Sequence, residues 1–209
     1  MRFTVAIDGP AGAGKGTIAR EIAARFGLAH LDTGLLYRAV GRIALDQGRG
    51  TLDEGVAELV ARDLKPERLE RNDLRSVMAS RAASRVAAMP GVRSALRDFQ
   101  SAFARREGGA VLDGRDIGTV ICPEAEVKLF VTADAPTRAH RRFRELTEAG
   151  RTASFEAVLA EIEERDRRDS ERVDAPLAEA PDAHRLDTTE LSIEDAVAEA
   201  VRLVETRLG

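Results

Sequence analysis

The sequence predicts an α/β fold, a parallel sheet covered by helices on both faces. Three observations carry this. Short, nearly all-apolar runs alternate with longer amphipathic stretches along the 209 residues. The first apolar run, "FTVAID" (residues 3–8), leads straight into a glycine-rich loop and then into an amphipathic stretch. Similar apolar runs recur in the second half of the chain. Strands separated by helix-length segments join as parallel neighbours through crossovers, and such sheets are buried on both faces.

Taken in order, "FTVAID" has no polar alternation, the mark of a strand covered on both sides. After the glycines, Ile18, Ile22 and Phe26 recur every fourth residue and define one helix face. "LAHLDTG" (28–34) reads as a second strand ending in turn chemistry. "LLYRAVGRIALDQG" reads as a helix stopped at Gly48. Residues 51–107 form a long, strand-poor and mostly helical stretch punctuated by Pro66 and Pro90. Strand signals resume at "GAVLDG" and "VKLFVTAD". "APTRAHRRFRELTEAG" is helical up to Gly150, and Phe155, Val158, Leu159 and Ile162 mark the next helix. "VDAPLAEAPDA" is loop and "HRLDTT" a short last strand. The final helix starts at Ser192, with Asp195 three residues on in a capping-box spacing, and turns Val197, Val201, Val204 and Leu208 inward. The helical insertion after the second strand and the polar 150–175 segment do not fit a plain doubly wound sheet. No internal repeat or low-complexity tract is present.

Composition narrows the class. Hydrophobic residues make up 44% and charged residues 33%, which suits one globular domain with a small inserted subdomain. No apolar run approaches the length of a membrane span, and "RFTVAID" begins too soon for a cleavable signal. The single cysteine, Cys122, permits no internal disulfide and suits a reducing cytosol, so a cytoplasmic location is expected. A net charge of −4 offers no global basic field for nucleic acid. All but three of the 32 basic residues are arginine. One arginine alone therefore says little, whereas a lysine inside a glycine loop says more than usual.

That lysine is Lys15. Gly9, Pro10, Ala11, Gly12, Ala13, Gly14 and Lys15 match the phosphate-loop spacing, between an apparent strand and an apparent helix. Glycines let backbone N–H groups turn inward around phosphate oxygens, and the helix that follows points its positive end at them. Lys15 adds a mobile cation near the β and γ phosphates. The competing reading is a glycine-rich turn with a surface lysine. Gly16 stands where the strict pattern has a metal-binding hydroxyl, and Thr17 supplies that hydroxyl one residue later. This Gly-Lys-Gly-Thr ending resembles nucleoside monophosphate kinases such as adenylate kinase rather than GTPase switches. The only asparagine is Asn72, so no Asn-Lys-x-Asp guanine motif exists.

Four further stretches narrow the resemblance: "LDTGLLYR" (31–38), "ASRVAAMPGVRSAL" (83–96), "LDGRDIGTVICP" (112–123) and "EERDRRDSER" (163–172). In this order they resemble the cytidylate kinase family over nearly the whole chain, with "DGRDIGTV" the most distinctive. The resemblance implies a P-loop kinase core over 1–209, a helical monophosphate-binding insertion at 36–107 and a short lid at 149–172. It implies MgATP as phosphoryl donor and CMP, with dCMP, as acceptor. Gly9 to Thr17 would bind ATP. Tyr37 and Arg38 would border the acceptor phosphate, with Thr33 near it. Ser84, Arg93 and Asp116 would meet the cytosine ring, and Arg115 a phosphate. Arg165, Asp169 and Arg172 would contact ribose and phosphate from the end of the lid. Lys15, Arg115 and Arg165 would carry the chemistry, and Asp113 would orient waters on a Mg²⁺ brought by ATP, with no metal site of the protein's own. In many family members the insertion holds a small extra sheet. Here "ARDLKPERLERNDLRSVMAS" is short and polar, so one strand pair or none is expected.

Elementary chemistry agrees with these roles. The cytosine amine is a donor and Asp116 an acceptor, while the ring nitrogen and carbonyl beside it are acceptors that Arg93 and Ser84 can serve. Uracil inverts that pattern. Arginine forks suit the charge spread over a transferring phosphoryl group. Taken singly, the residues leave alternatives open. Arg115 and Asp116 could be a solvated ion pair, "ERDRRDSER" a charged helix face, and Tyr37 a core residue. His30, His140 and His184 are scattered and receive no role. The rival readings are another small-molecule kinase, for UMP, AMP or shikimate, and a non-catalytic nucleotide-dependent switch. A monomer that binds neither nucleic acid nor membrane is expected.

Overall fold

A computed structural model describes residues 2–209. The elements run β1 (Thr4–Asp8), α1 (Lys15–Phe26), β2 (Ala29–Asp32), α2 (Thr33–Gln47), α3 (Glu54–Arg62), α4 (Val77–Val86), α5 (Pro90–Ala104), β3 (Ala110–Gly114), β4 (Val127–Thr132), α6 (Ala135–Glu148), α7 (Phe155–Ser170), β5 (His184–Asp187) and α8 (Ile193–Leu208). The five strands form one sheet in the order β2-β3-β1-β4-β5. β1 runs parallel to β3 and β4, and β4 parallel to β5, with Asp8 opposite Gly114. All five expected strands are present, the polar β5 included, joined through helices.

The chain divides into two compact units, Met1–Leu31 with Ala104–Gly209, and Asp32–Phe103. In the first, β1 and β3 are buried at every position, which is why neither shows alternation. One face of the sheet packs on Ile18 and Ile22 of α1 and on Ala200, Val201 and Val204 of α8, with Val197 and Leu208 partly buried against them. Ser192 caps α8 by accepting the Asp195 N–H, and its hydroxyl donates to the Asp195 carboxylate.

In the second unit α2 packs against α3 and α4. Gly41 has to be glycine here, because a Cβ would lie 2.8 Å from that of Ala82. α2 starts at Thr33, two residues before the expected start. β2 therefore feeds directly into the helix, with Asp32 as its N-cap. A Cβ on Gly34 would lie 2.9 Å from the Asp32 carboxylate, so the "DTG" glycine belongs to the helix start and not to a turn. The polar stretch before α4 forms two 3₁₀ turns, Pro66–Glu70 and Asn72–Arg75, and no strand among the described residues. An ion-pair net holds it to α2. Arg42 donates to Asp73 at 2.9 Å, and Arg71 bonds both Asp73 and Asp46.

Candidate active site

The glycine loop joins β1 to α1. Gly9, Gly12 and Gly14 have φ of 144°, 78° and 94°, conformations that side chains other than glycine resist. At Gly9 a Cβ would also fall on the carbonyl oxygen of Val131 in β4. Gly16 is different. A Cβ there would meet only Arg20 at 3.5 Å and Asp113 at 3.8 Å, so packing does not force the missing hydroxyl. Lys15 is buried, and its ammonium donates to the Pro10 carbonyl at 2.6 Å. Burial, then the Arg115 and Arg165 guanidiniums, press it well below the usual lysine range. Asp113 and Asp8 oppose them. Three cations converging in a desolvated place favour an anion among them, and a loop of inward backbone with a helix start behind it fits phosphate.

The arginines are held by acidic partners in the same unit. Arg115, just past β3, donates to Asp169 of α7 at 2.8 Å. Arg165, one turn before Asp169 on the same helix, lies 4.0 Å from that carboxylate. Arg172 donates to the Asp169 carbonyl at 3.2 Å. Burial raises the Asp169 carboxyl, but Arg115, Arg165 and Arg172 outweigh it and hold it below the usual range. The charged "ERDRRDSER" helix thus has two sides. Asp169 faces inward, 3% exposed, while Arg167 and Glu164 pair in solvent. Arg138 of α6 is buried and reaches the Ala11 carbonyl of the loop at 3.2 Å and Asp166 of α7 at 2.6 Å. Thr17 accepts from Arg20 at the exposed rim.

Two features here carry no spacing signal. His30 of β2 makes a 2.8 Å hydrogen bond to Asp113 near the end of β3. Asp8, the last residue of β1, accepts the N–H groups of Ile117 and Gly118. Those residues open a single π turn, Ile117–Ile121, inside the "DGRDIGTV" stretch. Asp116 is buried at its start.

In the second unit Thr33, Tyr37, Ser84 and Arg93 are all buried, and Arg38 is half-buried. Arg93 of α5 reaches the Tyr37 hydroxyl at 3.5 Å, so these two expected substrate residues lie together. Arg38 donates to the Leu74 carbonyl at 3.1 Å.

The cytidylate kinase family model matches residues 5–206. The chain belongs to the cytidylate kinase family. A cytidylate kinase from Cereibacter sphaeroides is 61% identical over 208 residues, 99% of this chain and 97% of its own length. One from Xanthobacter autotrophicus is 56% identical over 98% of each chain. Among solved structures, a shikimate kinase from Bacteroides thetaiotaomicron aligns with a TM-score of 0.52 at 14% identity, covering 97% of this chain and 98% of that one. An uncharacterized protein from Eubacterium ventriosum aligns at 0.57 and 16%, covering 99% and 100%. At such identities these two structures bear on the fold alone. Among the described residues no helix is long and apolar enough to cross a membrane. A cytidylate kinase takes small nucleotides as substrates, consistent with a loop shaped for phosphate.

Proposed function

We infer that this chain transfers the γ-phosphoryl group of ATP to CMP, giving ADP and CDP, with dCMP as a second acceptor. The convergence of Lys15, Arg115 and Arg165 beside the glycine loop is the observation that carries this reading. An oxygen of the acceptor phosphate attacks the γ phosphorus as the bond to the ADP oxygen breaks. That oxygen is already ionised, so no histidine or cysteine base is required. Catalysis is alignment and charge stabilisation. Lys15 and the amides of Gly9 to Thr17 hold the ATP phosphates, and Arg115 and Arg165 meet the transferring group. The Thr17 hydroxyl and Asp113 would meet the waters of a Mg²⁺ brought by ATP, whose charge would neutralise the phosphates.

On the acceptor side, Tyr37, Arg38 and Thr33 border the monophosphate. Ser84 and Arg93 serve the acceptor edge of cytosine, and Asp116 accepts from its amine. Asp169 and Arg172 serve ribose and phosphate, Asp169 while also holding Arg115. The 36–107 insertion and the 149–172 lid close over the nucleotides and exclude water. The chain acts as a cytoplasmic monomer without nucleic acid or membrane partners.

A coupled ADP-release assay over CMP, dCMP, UMP, AMP and shikimate tests the acceptor. Asp116→Ala tests how the base is chosen. Loss of a charged acceptor facing a buried donor costs about 1.5–3 kcal/mol, roughly a 10- to 150-fold fall in kcat/KM for CMP. UMP presents a carbonyl in place of the amine, so its turnover should hold or rise. An equal loss for CMP and UMP would show that Asp116 does not read the base.

A further inference from the structure

We propose that Asp8 is a positioning residue whose carboxylate, held at the end of β1, sets the aim of the Arg115–Asp116 pair through the main chain of the turn that follows. The inference rests on the reading above that Arg115 and Asp116 meet substrate.

The geometry is two-pronged. Asp8 Oδ1 accepts the Ile117 N–H at 2.8 Å and Oδ2 accepts the Gly118 N–H at 2.7 Å, across 109 and 110 residues of sequence. With both oxygens engaged, the carboxylate and the two amides fix one another's orientation. The first N–H groups of any helical turn lack a partner inside it, and a nearby side-chain oxygen usually serves them. In this turn Asp116 stands at the N-cap position, yet its side chain makes no capping bond. The capping role has passed to a residue on a different strand. Asp116 instead takes part through its carbonyl, which accepts from Val120 at 2.9 Å and Ile121 at 3.1 Å. Gly118 lets the carboxylate approach. A Cβ there would lie 3.2 Å from the Lys128 side chain and 3.4 Å from Asp8 Oδ2.

The chemistry of Asp8 supports a role beyond packing. It is 5% exposed. Burial pushes its carboxyl up to about 6, against the two N–H donors. Asp116 faces it as a like charge and Lys15 as an opposite one. A site that served packing alone would do better with a neutral residue. An asparagine would offer one acceptor and turn its amide hydrogens toward the second N–H. The same residue borders Gly9, so one side chain ties the end of the strand before the phosphate loop to the turn that follows Arg115 and Asp116.

The test uses the full chain carrying Asp8→Asn, with backbone amide exchange measured on the nucleotide-free protein and steady-state kinetics for each substrate. We expect Ile117 and Gly118 amides to exchange at least about 10-fold faster while Val5 and Val111 in the sheet are unchanged. We expect kcat/KM for CMP to fall about 10-fold or more, with KM for ATP within about twofold of the parent. Asp8→Glu keeps the charge and overshoots the turn by one methylene. It should give the same CMP-selective loss and serves if the asparagine variant does not fold. Unchanged exchange at Ile117 and Gly118, or a loss that falls on ATP in place of CMP, overturns the proposal. The exchange result judges Asp8 alone, whereas the CMP/UMP ratio of Asp116→Ala judges the base reading alone, so the two fail separately.

Discussion

Lys15 and Asp8 lie in one small volume and are strained in opposite senses. The Lys15 cation is disfavoured by burial and by Arg115 and Arg165, which is tolerable where phosphates neutralise it. Lys15→Met should therefore lower turnover by about 10²-fold or more while leaving CMP binding within about twofold, checked by single-turnover kinetics and calorimetry. Asp8 makes stability depend on pH. Its folded carboxyl titrates at about 6 against an ordinary 3.8. Between those values the folded state binds more protons than the unfolded one, so this group's contribution to stability falls as pH rises. Asp8→Asn lacks the titration. The stability of the parent relative to this variant should fall by up to about 3 kcal/mol between pH 4 and pH 7, read from denaturant midpoints at each pH. A difference that is flat with pH would mean that burial does not raise this carboxyl.

At the scale of elements, α7 is the informative one. Its inner side presents Asp169 to Arg115, and its outer side is a solvated row of i,i+3 and i,i+4 pairs. Ser154 caps its start by accepting the Ala157 N–H at 3.2 Å. His140 and Phe143 of α6 pack on Phe155, with ring centroids 4.2 and 6.4 Å apart. Between the two helices residues 149–153 are exposed or half-buried, and Gly150 has φ of 69°. Chain with so little burial opens locally at small cost. Trypsin should cleave at Arg151 in the free protein, and ATP with CMP should slow cleavage by roughly 10-fold if 149–172 closes over the nucleotides. Equal rates with and without both nucleotides would remove the lid from the mechanism. The 3₁₀ segment at 66–75 makes the same point about elements. Ion pairs to α2 hold in place a stretch too polar to form its own sheet.

For the molecule as a whole, stability of the first unit rests on the packing of α1 and α8 against the sheet. Ile22 is fully buried at the centre of that layer. Ile22→Ala leaves a cavity and should cost about 2–5 kcal/mol, which lowers Tm by roughly 4–20 °C for a chain of this length. A shift under about 2 °C, measured by calorimetry, would show that the layer collapses around the gap.

The sequence by itself determined the strands, the order of helices and the phosphate loop, because each is written in local terms. Short apolar runs without alternation, bounded by turn residues, read as buried strands, and a Gly-rich turn with this spacing between a strand and a helix reads as a phosphate loop. It also carried the family, through "DGRDIGTV" and its companions in order. Only the tertiary structure decided which charges meet. Asp169 and Arg115 are 54 residues apart, His30 and Asp113 83, and Asp8 and Ile117 109. Their pairing depends on strand order, since β1 and β3 become neighbours only after a crossover that skips the whole Asp32–Phe103 unit. No periodicity along the chain records that β3 lies beside β1. A lone aspartate before a glycine loop therefore looks like any strand end until the sheet is assembled, and then it accepts the first N–H groups of the turn that follows Arg115 and Asp116.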